Sequence, residues 1–138
     1  MTFVEITMKM KQNSILSIKD LKKIQELDYI NSIWYAIMKM DINLLNFLLE
    51  DDIDYEDIGK QGFIEKLNDR FNDHKTFGDS ELLMDLDHCK SCNCNQPVCK
   101  FIGNRSGKHF ALYFEMENID IKDIYHCNWY SDEDIFPF

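Results

Sequence analysis

His109-Phe110-Ala111-Leu112-Tyr113-Phe114-Glu115-Met116 sets Phe110, Leu112, Phe114 and Met116 on one side of the chain and His109, Ala111, Tyr113 and Glu115 on the other. A strict period of two marks a strand with one buried face. Just before it, Gly103-Asn104-Arg105-Ser106-Gly107 holds two glycines among turn formers; just after it, Glu117-Asn118 can reverse the chain again. Val98 to Ile102 reads as the preceding strand. Earlier still, Leu82, Met84, Leu86 and His88 alternate with Leu83, Asp85 and Asp87. A last strand is expected from Ile119 to about Tyr130. The segment 80–130 is therefore an antiparallel sheet, and the acidic, aromatic tail Ser131 to Phe138 has no regular pattern.

Ahead of the sheet the period is helical. Ile18, Leu21, Ile24, Leu27, Ile30, Ile33, Trp34, Ile37 and Met38 recur at steps of three and four. Ser17 and Asp20 suit the N-terminal end of such a helix, whose dipole favours negative charge there. The spacing predicts a long helix over 18–39, bent near Asp28. Asp41 can cap a second helix carrying Leu44, Leu45, Phe47, Leu48 and Leu49, which Glu50-Asp51-Asp52 ends. Ile53, Tyr55 and Ile58 read as a short strand or turn, with Gly59 and Gly62 as punctuation. Phe63, Ile64, Leu67 and Phe71 build a third helix to about Asn72, and His74 to Ser80 reads as a loop. The helical part thus covers 17–73. Residues 1–16, where Val4, Ile6, Met8 and Met10 alternate with Glu5, Thr7, Lys9 and Lys11, form a strand or arm.

These elements make one α+β domain over 1–138, three N-terminal helices packed on a curved antiparallel β-sheet. Trp34, Ile37, Phe47, Leu48, Leu67, Leu112 and Phe114 are its expected core.

Composition bounds the partners. The 138 residues are 45% hydrophobic and 29% charged, with a net charge of −10, so the surface repels phosphate. The only basic run, Lys19, Lys22 and Lys23, is interleaved with Asp20 and Glu26 and is too small to bind nucleic acid. No apolar run approaches the ~18 residues that span a bilayer. Glu5 sits where a secretory signal would be basic, so the expected compartment is the reducing cytoplasm, with no membrane partner.

Chemistry-bearing residues cluster in His88-Cys89-Lys90-Ser91-Cys92-Asn93-Cys94-Asn95-Gln96-Pro97-Val98-Cys99. Cys89, Cys92, Cys94 and Cys99 offer the count and softness that one tetrahedral zinc ion prefers, with C-x2-C at knuckle spacing. Redox chemistry, and reduced loop cysteines with no role, are the alternatives, and the odd total of five cysteines argues against a disulfide framework. Cys127, late in the last strand, is expected near the turn 103–107, away from the other four. His88 and His126 each precede a cysteine, but neighbours on a strand face opposite ways, so adjacency does not pair them. Asp123 stands out as a carboxylate in an otherwise apolar strand, and is the candidate general base.

Trp34-Tyr35-Ala36-Ile37-Met38-Lys39-Met40-Asp41 followed by Leu48-Leu49-Glu50-Asp51-Asp52-Ile53-Asp54-Tyr55 resembles the helix, aspartate, helix and acidic passage of the cystatin-like cone shared by nuclear-transport-factor-like, SnoaL-like and ketosteroid-isomerase-like proteins. Gly62-Phe63-Ile64-Glu65-Lys66-Leu67 is similar to that family's third helix, and Asn118-Ile119-Asp120-Ile121-Lys122-Asp123-Ile124 to the opening of its final strand. The similarity covers residues 30 to 130; the strand-like N-terminus and the cysteine run depart from it. The resemblance implies a cone with an apolar pocket between helices and sheet, lined here by Trp34, Tyr35, Tyr55, Asp123 and Tyr125. It also implies either a binding or dimerisation module or a small enzyme using a pocket carboxylate, since fold does not choose between them. With no phosphate loop, serine elbow or zinc-protease motif present, the expectation is a ligand- or protein-binding module. It forms a homodimer through the outer sheet face near Tyr113 and takes a small apolar ligand. The alternatives are a pocket isomerase, dehydratase or hydrolase, and a zinc-stabilised interaction module.

Overall fold

A computed structural model describes residues 28–88 and 97–127. The long helix expected over 18–39 does not run through Asp28. That residue is extended (φ −73°, ψ 175°) and caps helix α1, Tyr29–Met38, its carboxylate accepting the Asn31 N–H at 3.0 Å. An aspartate satisfies one of the amide groups that a helix start leaves without an internal partner, so the bend is a true beginning. Met40, in the left-handed region at φ 51°, closes the turn after α1. Asp41 then caps α2, Ile42–Leu48, accepting the Leu44 N–H at 3.0 Å as the sequence leads one to expect.

At seven residues α2 is too short to hold itself together. Leu44, Leu45, Phe47 and Leu48 are buried, and each such side chain contributes roughly 1.5–3 kcal/mol when withdrawn from water. Packing holds this helix. The segment read as a short strand or turn is a 3-10 turn, Tyr55–Asp57, with Glu56 and Asp57 both left-handed (φ 54° and 60°).

Helix α3, Gly59–Thr76, is longer at both ends than the sequence suggests. Gly59 is its first residue, not a break: its φ of 78° is one that glycine adopts freely, and its N–H donates to Asp54 Oδ1 at 2.6 Å. At the far end His74, expected in a loop, is a fully buried helical residue.

Strands β1 (Leu82–His88), β2 (Pro97–Gly103), β3 (His109–Glu117) and β4 (Asp120–His126) form an antiparallel sheet in the order β1-β2-β3-β4, the expected meander. Within the described residues β4 stops at His126, short of the expected Tyr130, although the Cys127 N–H still donates to Ala111 O at 3.0 Å. A register shift between Glu115 and Met116 interrupts the β3–β4 ladder, and a bulge of this kind bends the strand that carries it.

The core joins the helices to one face of the sheet. Cys99, Phe101, Phe110, Leu112, Phe114, Ile121 and Ile124 pack there against Ile33, Trp34, Ile37, Leu44, Leu67 and Phe71. All seven expected core residues are buried. Trp34 meets the Phe114 ring edge-on at 5.9 Å. Val98, Ala111 and Tyr113, which alternate with these, make a separate cluster on the other face with Tyr125 and Cys127 against it.

Candidate functional site

Two histidine–carboxylate pairs lie where α3 meets the sheet, and of their four residues the sequence draws attention only to His126, as a neighbour of Cys127. His74, in the last turns of α3, is 2.7 Å from Asp79 through Nδ1, with both side chains fully buried. His126, at the end of β4, is 2.8 Å from Glu56 of the 3-10 turn, also through Nδ1. An ionised carboxylate can only accept, so each Nδ1 carries the proton and donates it. Between the pairs runs Arg70, its guanidinium carbon 5.6 Å above the Phe110 ring and its side chain almost wholly buried.

Both carboxylates organise backbone as well. Asp79 Oδ1 accepts the N–H groups of Arg105 and Ser106 at 2.9 and 2.7 Å, and Oδ2 accepts Ser106 Oγ at 2.6 Å, so the β2–β3 turn is built around it. Glu56 Oε1 accepts the His126 N–H at 2.8 Å and Oε2 meets Lys66 Nζ at 2.9 Å. The Glu56 N–H in turn donates to Asp123 Oδ1 at 2.8 Å. Such mutual bonding holds Glu56 in a backbone conformation that costs a non-glycine residue about 1–2 kcal/mol.

The protonation states follow. Burial alone would raise the Glu56 carboxyl, but the hydrogen bonds from the His126 ring and N–H, together with Lys66, outweigh it and hold the carboxyl down at about 2. Asp79 is held well below the usual carboxylate range, its burial outweighed by Ser106, His74 and Arg105. Burial pushes both histidines down. Their carboxylates pull the other way but do not outweigh burial, to which Arg70 adds at His74, and Lys66 with Arg70 at His126. Burial lowers Arg70 to about 10, with Asp73 and Glu56 resisting, so it is cationic at neutral pH. The layer therefore holds one buried cation, two neutral imidazoles and two anions.

The residues expected in one pocket are divided between two faces. Trp34, Tyr35 and Tyr55 belong to the core between helices and sheet, whereas Tyr125 is on the opposite face, stacked on Tyr113 at 4.7 Å. Asp123 lies on the edge of β4 and accepts the N–H groups of Glu56 and Ile124, both at 2.8 Å. Tyr55 accepts the Glu50 N–H at 3.0 Å through its hydroxyl, which burial pushes up to about 12.

Of the expected zinc ligands, Cys89, Cys92 and Cys94 lie outside the described residues. Cys99 is a fully buried member of the helix-facing core, and burial pushes its thiol up to about 12. That disfavours the thiolate a metal needs. Among the described residues no group of three histidines, cysteines or carboxylates is placed to hold a metal ion. Cys127 is not beside the turn 103–107 as expected. Its N–H bonds Ala111 O, opposite Lys100, so it stands near the level of Cys99 but on the other face. The strands pair in the expected order; what differs is that β4 begins before the first residue of β2, Pro97, and stops level with Cys99, part-way along it.

An open cleft of about 220 Å³ lies between Tyr29 at the start of α1, Glu50, Asp52 and Ile53 after α2, and Asp120, Ile121 and Lys122 of β4. Tyr29 donates its hydroxyl to Leu48 O at 2.8 Å, and burial drives that hydroxyl's ionisation far upward, so it stays a neutral donor. None of the five expected pocket residues lines this cleft.

No local pattern marks Glu56, which is one acid among several between Glu50 and Asp57. Its partners Asp123 and His126 are 67 and 70 residues away. No helix among the described residues is long and apolar enough to cross a membrane. Comparison with protein-family models, with curated proteins and with solved structures finds no match.

Proposed function

We propose that this chain is a non-enzymatic binding module on a cone-like α+β frame, and that it seats a small ligand in the cleft between Tyr29, Ile53 and Ile121. The observation that supports this reading is a separation of place. The histidine–carboxylate pairs tie α3, the 3-10 turn and the sheet together, whereas the cleft is lined by apolar and charged side chains with no such pair in it. Two isoleucines and a tyrosine offer an apolar wall, and Glu50, Asp52 and Asp120 outnumber Lys122. A ligand with an aliphatic body and an ammonium group fits that lining. Amide NMR spectra recorded with a panel of alkylamines test it. Shifts concentrated at Tyr29, Ile53 and Ile121 support the reading, and shifts elsewhere, or none at millimolar amine, defeat it.

A homodimer is part of the proposal. Tyr113 is 9% exposed within the single chain, so the support comes instead from Leu83, 54% exposed on the outer face of β1. Sedimentation velocity of the natural chain against Leu83→Asp reads this contact.

A second reading, a small isomerase, dehydratase or hydrolase, is favoured by one observation: Glu56 orients His126 at 2.8 Å, the arrangement in which a carboxylate fixes the tautomer of a general base. Here His126 takes the general-base part expected of Asp123, and Glu56 orients it. An activity screen in which His126→Gln keeps the fold and loses turnover separates this reading from the first.

A further inference from the structure

One aromatic ring is surrounded by three basic side chains. The His74 and His126 rings lie 5.8 and 6.2 Å from the Phe110 ring, and Arg70 covers it at 5.6 Å. The same histidines fasten α3 and the 3-10 turn to the sheet at two separate points, through Asp79 and Glu56. Fastening and crowding therefore rest on the same two imidazoles.

We propose that this layer is an acid-operated latch: when His74 and His126 both take up a proton, three cations crowd round Phe110, and the 3-10 turn and the last turns of α3 part from β3 and β4. The helices α1 and α2 stay on the sheet, because their contacts with it are apolar.

The balance of charge decides the direction. The described charged groups that face the two histidines are Glu56 from the 3-10 turn, Lys66, Arg70 and Asp73 from α3, and Asp79 from the link to β1. Asp123 stands beside Glu56 on the edge of β4, and the β2–β3 turn contributes the hydroxyl of Ser106. Asp73 is solvent-exposed and Asp123 half-buried, so their charges are screened by water. Asp79 already accepts from four donors and Glu56 from three. A second proton on either ring goes to Nε2, which is buried in both. It therefore adds charge inside the layer, where Arg70 already acts on both rings and withdrawal from water outweighs the attraction of a carboxylate that already holds other donors.

The sign is fixed by this. Each histidine binds its proton less readily in the folded chain than in the unfolded one, so the latch is closed above about pH 6.5, the value for a free imidazole. It loosens as the pH falls below that. Acid therefore opens the interior around Phe63 and Phe110, the two rings that touch His126.

The test is an NMR titration of the histidine rings in the full chain, paired with amide hydrogen exchange at about pH 7.5 and about pH 5, corrected for intrinsic rates. Both rings should titrate below about 6.5. The amides of Ser106 and His126, which donate to Asp79 and Glu56, should lose more protection than those of α1. The double variant His74→Gln and His126→Gln keeps an N–H donor at each point but cannot take up the proton, so its protection pattern should not change between the two conditions. If that variant does not fold, the natural chain decides alone. Either ring titrating above about 6.5, a uniform loss of protection, or a folded double variant that still loosens in acid overturns the latch.

Discussion

Glu56 Oε1 accepts both the ring Nδ1–H and the backbone N–H of His126, each at 2.8 Å, from a residue whose own backbone is left-handed at φ 54°. The strain and the bonds are linked: the unusual turn is what points the carboxylate at the end of β4. Glu56→Ala should therefore lose the bonds and keep the strain, costing about 2–4 kcal/mol because buried donors are left without an acceptor. Glu56→Gly loses the same bonds but relieves the backbone, and should be about 1 kcal/mol less harmful than alanine. Urea denaturation of the two variants measures the difference. Equal losses would show that the turn stores no strain.

Acid should weaken the fold a second time, below the range where the histidines act. The Glu56 carboxyl is held at about 2 against an ordinary 4.5, and Asp79 is also depressed. A carboxyl lowered in the folded chain contributes its full stability above its unfolded value and loses it as the pH falls toward the folded one. Stability should therefore drop between about 4.5 and about 2. In Glu56→Gln that slope should be shallower, since the group that titrates is gone. Unfolding free energies at stepped pH measure both slopes, and an unchanged slope in the variant would assign the acid sensitivity elsewhere.

Gly103 and Gly107 bound the same turn yet should respond differently to alanine. A Cβ on Gly103 would fall on Asp79 Oδ2, deep inside van der Waals contact, and 2.6 Å from Ser106 Oγ. It would displace the carboxylate that holds the Ser106 and Arg105 amides, at a cost of about 2–4 kcal/mol. A Cβ on Gly107 meets nothing within 4 Å, and only its φ of 72° resists, worth about 1 kcal/mol. Thermal unfolding of Gly103→Ala and Gly107→Ala should separate them clearly. A reversal of that order would mean that the turn is not built around Asp79.

What the sequence disclosed depended on how far apart the interacting residues are. The alternation in Phe110 to Met116 and the aspartate before Leu44 are local signals, and both elements formed as read. The end of α3 is not legible in the sequence because His74, Lys75 and Thr76 carry no apolar pattern. They stay helical because His74 is held by Asp79, a partner that serves the β2–β3 turn as well. Gly59 reads as a break because composition does not reveal that its left-handed backbone starts a helix. The polar layer was hidden for the same reason as most buried networks. Glu56 and His126 are unremarkable in their own neighbourhoods, and only the packing of the 3-10 turn against the edge of β4 unites them. The pocket residues follow from the family resemblance and not from a local pattern, and the sheet's alternation puts Tyr125 on the face away from Tyr55.

The same alternation governs the cysteines, and it leads to a prediction about reactivity. Cys99 is opposite Leu112 in the ladder and faces the helices, fully buried; Cys127 is on the outer face and half-exposed. Attack by a thiol needs both access and the thiolate, and Cys99 lacks each, its ionisation pushed up to about 12 by burial. In the folded chain at neutral pH, iodoacetamide should label Cys127 while leaving Cys99 intact, and denaturant should make the two equal. The outcome bears on zinc. A metal held by Cys89, Cys92, Cys94 and Cys99 together requires Cys99 as a thiolate, which would take the middle of β2 out of the core between Leu86 and Leu112. Tandem mass spectrometry of the labelled peptides reads each cysteine separately. Should Cys99 label as fast as Cys127 in the native state, β2 is not seated as described and the four-cysteine set returns as the better account. Should it stay unlabelled, and Cys99→Ala retain whatever zinc the natural chain carries, any ion in the loop is held without it.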